Sequence, residues 1–181
     1  ADTITEIGLG LGFASDQSML AAAKMAQLSG VLGADTLDVG TRIGMEFGLI
    51  SGMETDAAMQ RMINLQQQTN FMTEGVDENT TAEERRNRIR MNSMRVLNQL
   101  NTIENRSVAT MEQITFVMNQ FASQAKLTNE SIASMAALSA TLIEAGEEQG
   151  KGGRALRMMY ARLGADINGS RTAVENLGIA V

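Results

Sequence analysis

No proline occurs anywhere in the 181 residues. Proline is the residue a helix interior tolerates least, because it lacks the donor N–H and its ring strikes the carbonyl four residues back. An average chain carries about 5% of it, so this one can run helix after helix without an imposed break. Punctuation falls instead to Gly, Asn, Thr and Ser, with 17 glycines available as stops. Fourteen Met, five Phe, one Tyr and no Trp leave a core made of Met, Leu, Ile, Val and Ala. Methionine fits several packings of one surface, so it serves here either as core filler or as a surface adapted to several partners. The expected fold is all-α: compact helical hairpins or a bundle, seven or eight helices with short Gly/Asn/Thr loops, and no sheet.

The same composition closes several functional routes. With neither Cys nor His, disulfides, thiolate metal sites and the usual neutral-pH general base are absent. Glu144, Glu147 and Glu148 form an acid cluster, but no completed motif frames them, so a solvated turn is expected and no enzyme. No cofactor and no metal are expected either. A net charge of −6 argues against sequence-specific nucleic-acid binding. No stretch of about 18 uncharged apolar residues is present to span a bilayer, and no basic n-region precedes an apolar run as in a secretory signal. The first residue, Ala1, and the apolar run Leu177-Gly178-Ile179-Ala180-Val181 suggest a piece of something longer.

Four stretches can be drawn. Residues 1–14 are a Gly-rich apolar opening segment in which Gly8, Gly10 and Gly12 alternate with apolar residues. They complete neither a dinucleotide motif nor a P-loop, so a flexible or closely packed segment is expected. Residues 15–76 hold N-terminal helices at about Asp16 to Ser29, Thr36 to Ile50 and Asp56 to Phe71, the last with Ala58, Met62, Leu65 and Met72 near one face. In the middle helix Gly40, Gly44, Gly48 and Gly52 recur every fourth residue, as do Ala22, Ala26 and Gly30 before it. Such residues form one ridge, and each interior Gly costs about 1 kcal/mol relative to Ala. A loss of roughly 3 kcal/mol demands a return, namely close approach of another backbone. That neighbour belongs either to this chain or to another chain or tube wall.

Residues 77–106 are an Arg-rich capped helix. Thr81 with Glu84 reads as a capping box, opening a helix from about Ala82 to Glu104. Arg85, Arg86, Arg88, Arg90 and Arg95 follow, read first as a solvated face with local Glu–Arg pairs, then as contact with an acidic partner protein, and last as contact with nucleic acid. Residues 107–181 form the last stretch. Met111, Ile114, Met118, Phe121 and Ala125 are spaced 3, 4, 3, 4, one continuous apolar stripe. A helix from Glu130 to about Ala145 follows, with Ile132, Met135, Leu138 and Leu142 inward, then a turn over Glu147 to Gly153. A helix from Arg154 to Leu163 carries Leu156, Met159, Tyr160 and Leu163, and a short one over about Arg171 to Asn176 closes an antiparallel bundle.

From Ser107 to Ile179 the chain resembles the core module of phage tail tape measure proteins, more loosely back to Ala22. The residues that carry this are Ala109-Thr110-Met111-Glu112-Gln113-Ile114 at a helix start, Ser139-Ala140-Thr141-Leu142-Ile143-Glu144, and Ala145-Gly146. They continue with Gly150 and Gly152-Gly153, Ala155-Leu156-Arg157, Arg162-Leu163 and Leu177-Gly178-Ile179. The Arg-rich helix, the glycine ridge and the proline-free loops depart from that pattern. The resemblance implies a protein in the lumen of the tail tube or at the tail tip of the virion, whose length sets tail length, around which tube subunits assemble, and which leaves ahead of the DNA. Implied partners are further copies of itself, often three, with tube and baseplate hub or distal tail proteins. The host inner membrane is implied as a partner during ejection, and a membrane-active translocator is the alternative role. A ruler must be an extended helix gaining ~1.5 Å per residue, whereas this segment is punctuated every fifteen to twenty-five residues. It reads as a folded module of such a ruler, with Gly40, Gly44, Gly48, Gly52, Met111, Ile114, Met118, Phe121, Leu156, Met159 and Leu163 as packing or interface positions.

Overall fold

Helices start where a side chain can satisfy the free N–H groups of the first turn. Thr81 and Glu84 do so reciprocally: the Glu84 N–H donates to Thr81 Oγ1 at 3.3 Å, and the Thr81 N–H to Glu84 Oε2 at 3.0 Å. Thr110 and Gln113 repeat the device at 3.3 and 3.0 Å, and Ser131 Oγ accepts from the Ser134 N–H at 3.1 Å. Left-handed residues end helices, Gly52 at φ 65° and Asn70 at φ 55°, conformations that Gly and Asn adopt at little cost.

The structure, a computed structural model, describes residues 2–165 and, beyond them, 169, 172, 175 and 176. Among the described residues it is all-α, with no strand. Its helices are α1 (Asp2–Gly10), α2 (Ser15–Met25), α3 (Ser29–Leu32), α4 (Leu37–Ser51), α5 (Thr55–Thr69), α6 (Ala82–Glu104), α7 (Met111–Leu127), α8 (Ile132–Glu144) and α9 (Gln149–Gly164). Short 3-10 turns occupy Ala26–Leu28, Ala34–Thr36 and Phe71–Thr73. The count exceeds the expected seven or eight through α1 and the single-turn α3. The ending expected over about 171–181, including Leu177-Gly178-Ile179, lies largely outside the described residues.

Two expectations change. The Gly-rich opening is a helix, and Gly8 lies buried against Ser18 of α2. The turn expected over Glu147 to Gly153 is mostly helical, since α9 begins at Gln149. Its two central glycines are consumed by packing, so they do not act as breakers.

The chain forms two compact units, residues 1–101 and 102–181. In the first, α4 packs on α5 and α2, and α1 on α2 and α4. Its core is methionine-rich: Met25, Met45, Met59 and Met72 are fully buried beside Leu28, Ile43, Ile63 and Ile89. In the second, α7 meets both α8 and α9. Met111, Ile114, Val117, Met118, Phe121, Ala122 and Ala125 are all 0% exposed, so α7 is the centre of that unit.

Candidate assembly interfaces

The glycine ridge of α4 faces its own unit. A Cβ on Gly40 would come within 2.9 Å of Met25 Cγ, and one on Gly44 would overlap Met59 Sδ. At Gly48 the nearest atoms, including Ala58 Cβ and Met53 O, lie at an ordinary 3.5 Å. Gly52, the left-handed residue closing α4, has open space around it. The ridge is therefore a slot that admits methionines from α2 and α5, and it leaves no free docking face. Of the parallel series, Ala22 is buried while Ala26 and Gly30 are exposed.

The arginines of α6 tie distant segments of the first unit together, where local Glu–Arg pairs were expected. Arg86 forks onto Asp38 of α4, Nη1 to Oδ1 at 2.8 Å and Nη2 to Oδ2 at 2.6 Å. Arg85 Nη1 lies 3.6 Å from Asp35 Oδ1. Arg88 donates to the Gly75 carbonyl at 2.8 Å, and Arg95 to Glu74 at 2.6 Å. Asn92 adds bonds to the carbonyls of Met72 and Glu74. Among the described residues Arg90 alone of the five has no such partner. Partial burial pushes the Asp38 carboxyl up, but the Arg86 hydrogen bond, a backbone N–H and the Arg86 charge outweigh it, leaving its pKa below the usual value. Rigid two-point pairing of this kind is what arginine supplies and lysine does not.

The apolar stripe of the second unit is likewise internal. Phe121 stacks on Tyr160 of α9 with ring centroids 5.7 Å apart, and the Tyr160 hydroxyl donates to Glu130 Oε2 at 3.0 Å. Burial, followed by that hydrogen bond, pushes the Tyr160 pKa up. Gly152 and Gly153 let α9 approach: a Cβ on Gly153 would lie 2.9 Å from Gln120 Cβ, and one on Gly152 3.2 Å from Leu142 Cδ1. Leu156 is buried and Leu163 half-buried, as the stripe implies. Met159 departs from it at 42% exposed, because the buried line runs Gly152, Leu156, Tyr160 and leaves position 159 on its flank.

Other apolar side chains do reach solvent. Met158 is 57% exposed, and in the first unit Leu9 is 60% and Leu20 56% exposed. Sequence reading overlooked Met158. Its position opposite the Leu156–Tyr160 line was the available signal. Among the described residues no group of acids could hold a metal ion, and no helix is long and apolar enough to cross a membrane.

No curated protein and no solved structure matches the chain. The family described as phage-related minor tail protein matches it over residues 1–181. An all-helical chain whose conspicuous features, the ridge, the arginines and the stripe, all serve packing fits that description, and the chain belongs to the phage-related minor tail protein family.

Proposed function

We propose that this chain is a folded module of a tail tape measure protein. In this reading it is a non-enzymatic part of the phage tail, held in the tube lumen or at the tip by other copies and by tube or hub proteins. Its parent chain sets tail length, templates tube assembly and is released during genome ejection. The observation that carries the reading is the pair of compact helical units inside a tail-protein family match. The longest helix, α6, has 23 residues, about 35 Å at 1.5 Å per residue, far short of a ruler. The measuring length must then come from extended helix elsewhere in the parent protein, with this segment as a fixed folded feature.

In-frame deletions in flanking helical rod should shorten tails in proportion to the residues removed, measured by electron microscopy. Removal of residues 1–181 as a block should instead abolish tails or leave them non-infectious, without a proportional change in length. Tails of unchanged length after rod deletions would refute the assignment. The membrane-active alternative predicts that the chain releases dye from liposomes, and the structural role predicts that it does not.

A further inference from the structure

The cations of this chain are unevenly distributed, and α9 is where the imbalance peaks. Between Gln149 and Gly164 it carries Lys151, Arg154, Arg157 and Arg162 and no acid. The chain's other eleven Lys and Arg face all 21 Asp and Glu. The inner face of α9, with Gly152, Gly153, Leu156 and Tyr160, is spent on packing within its unit. The outward face therefore presents Arg154 and Met158, with Ala161 completing the same line at helical spacing. Among the described residues Lys151 pairs only with Glu148 one turn away, at 2.9 Å. Arg154 and Arg157 have no hydrogen bond or ion pair among the described residues, and Met158 follows Arg154 by one turn on the side away from Arg157.

A basic face that carries an exposed methionine fits three kinds of surface, and two are disfavoured. An anionic bilayer takes up the apolar face of a helix, but that face of α9 is already buried. Nucleic acid has no need of the methionine, and a chain of net charge −6 repels a polyanion at long range. The third is a surface that sets unpaired carboxylates beside an apolar cleft, and the first unit has one. A cleft of about 170 Å³ between α2 and α5 is lined by Leu20, Lys24, Glu54, Asp56 and Met59. Leu20 is 56% exposed there, and Asp16 lies one turn before it on the same face of α2. Lys24 pairs with Asp56 across the cleft. Asp16 and Glu54 have no partner among the described residues.

We infer that the outer face of α9 docks into the α2–α5 cleft of a second copy of this chain, with Met158 beside Leu20 and Arg154 and Arg157 facing Glu54 and Asp16. Donor and acceptor patches differ, so the contact is head-to-tail, and it closes into a ring or continues as a chain of copies. The inference rests on the proposed function only in requiring copies to meet. Its failure would leave the tail-length test untouched.

The chain contains no cysteine, so Leu20→Cys and Met158→Cys each introduce a single thiol. Mixed at low salt under mild oxidation, the differently tagged variants should yield the mixed disulfide at least about tenfold over either same-variant product. Arg154→Glu with Arg157→Glu on the Met158→Cys chain should abolish that product. Asp16→Lys with Glu54→Lys on the Leu20→Cys chain should restore it. Circular dichroism checks that each variant folds, and Arg154→Gln with Arg157→Gln, which should give partial loss, substitutes for any that does not. The inference is overturned if no mixed product forms or if charge reversal leaves it unchanged. It is equally overturned if Arg154 and Arg157 instead prove necessary for binding duplex DNA or phosphatidylglycerol vesicles.

Discussion

Gly44 and Gly48 stand one turn apart on the same ridge, and a methyl group added at each should act in opposite directions. At either site alanine gains about 1 kcal/mol of helix propensity. At Gly48 the new Cβ meets its neighbours at ordinary contact distance, so Gly48→Ala should be neutral or should raise the melting temperature. At Gly44 the methyl overlaps Met59 Sδ, so the Met59 side chain, fully buried in the core, must leave its packed position. Overpacking of that kind costs about 1–3 kcal/mol, which exceeds the propensity gain, so Gly44→Ala should lower the melting temperature. Equal effects from the two substitutions, measured by thermal denaturation, would contradict the slot described for α4. The four-residue interval made the ridge legible in the sequence. What fills it was not legible, because Met25 and Met59 come from helices on either side, and spacing within one helix carries no information about its neighbours.

Among the elements, α6 was the best read and yet the most altered in meaning. Its start at Ala82 follows from Thr81 and Glu84 alone, since a capping box is a local device and local devices are written in adjacent residues. Its arginines point to partners 48 or more positions away in the case of Asp35 and Asp38, and nothing in a charge run specifies such partners. The Arg86–Asp38 fork should contribute modestly, because the two side chains retain 39% and 24% of their exposure. Asp38→Asn is therefore expected to cost about 0.5–1 kcal/mol. The pH dependence follows in sign from the depressed Asp38 pKa. The contribution is fully present above the unfolded value of about 3.9 and is lost as pH falls through the lower folded value. Denaturant melts of wild type and Asp38→Asn should accordingly differ at pH 6 and converge toward pH 2. A difference that persists undiminished at pH 2 would show that the carboxylate charge is not what Arg86 holds. The start of α9 was misread for a related reason. Gly150, Gly152 and Gly153 carry the composition of a turn, and only the packing of α9 on Gln120 and Leu142 explains why they remain helical.

For the whole molecule, the division into residues 1–101 and 102–181 has a consequence that stability alone does not reveal. Each unit has its own core, methionine-rich in the first and built on α7 in the second, and each has a glycine slot that a methyl group would jam. In the second unit a Cβ added to Gly153 would lie 2.9 Å from Gln120 Cβ, an atom fixed close to its backbone and unable to yield as a side-chain tip can. Overpacking of about 1–3 kcal/mol, less about 1 kcal/mol of helix propensity, should leave Gly153→Ala destabilising that unit by up to about 2 kcal/mol, and Gly44→Ala the first by a comparable amount. If the units are separate cooperative blocks, hydrogen exchange will report the two substitutions in different places. Gly44→Ala should speed exchange in α4 and α5 by up to roughly 30-fold, the factor corresponding to that energy, and leave α7 and α9 near wild type. Gly153→Ala should do the reverse. Acceleration of all helices by either substitution would mean a single cooperative fold. Independent blocks, in contrast, would let either unit alter its packing during tail assembly or ejection while the other keeps its own core.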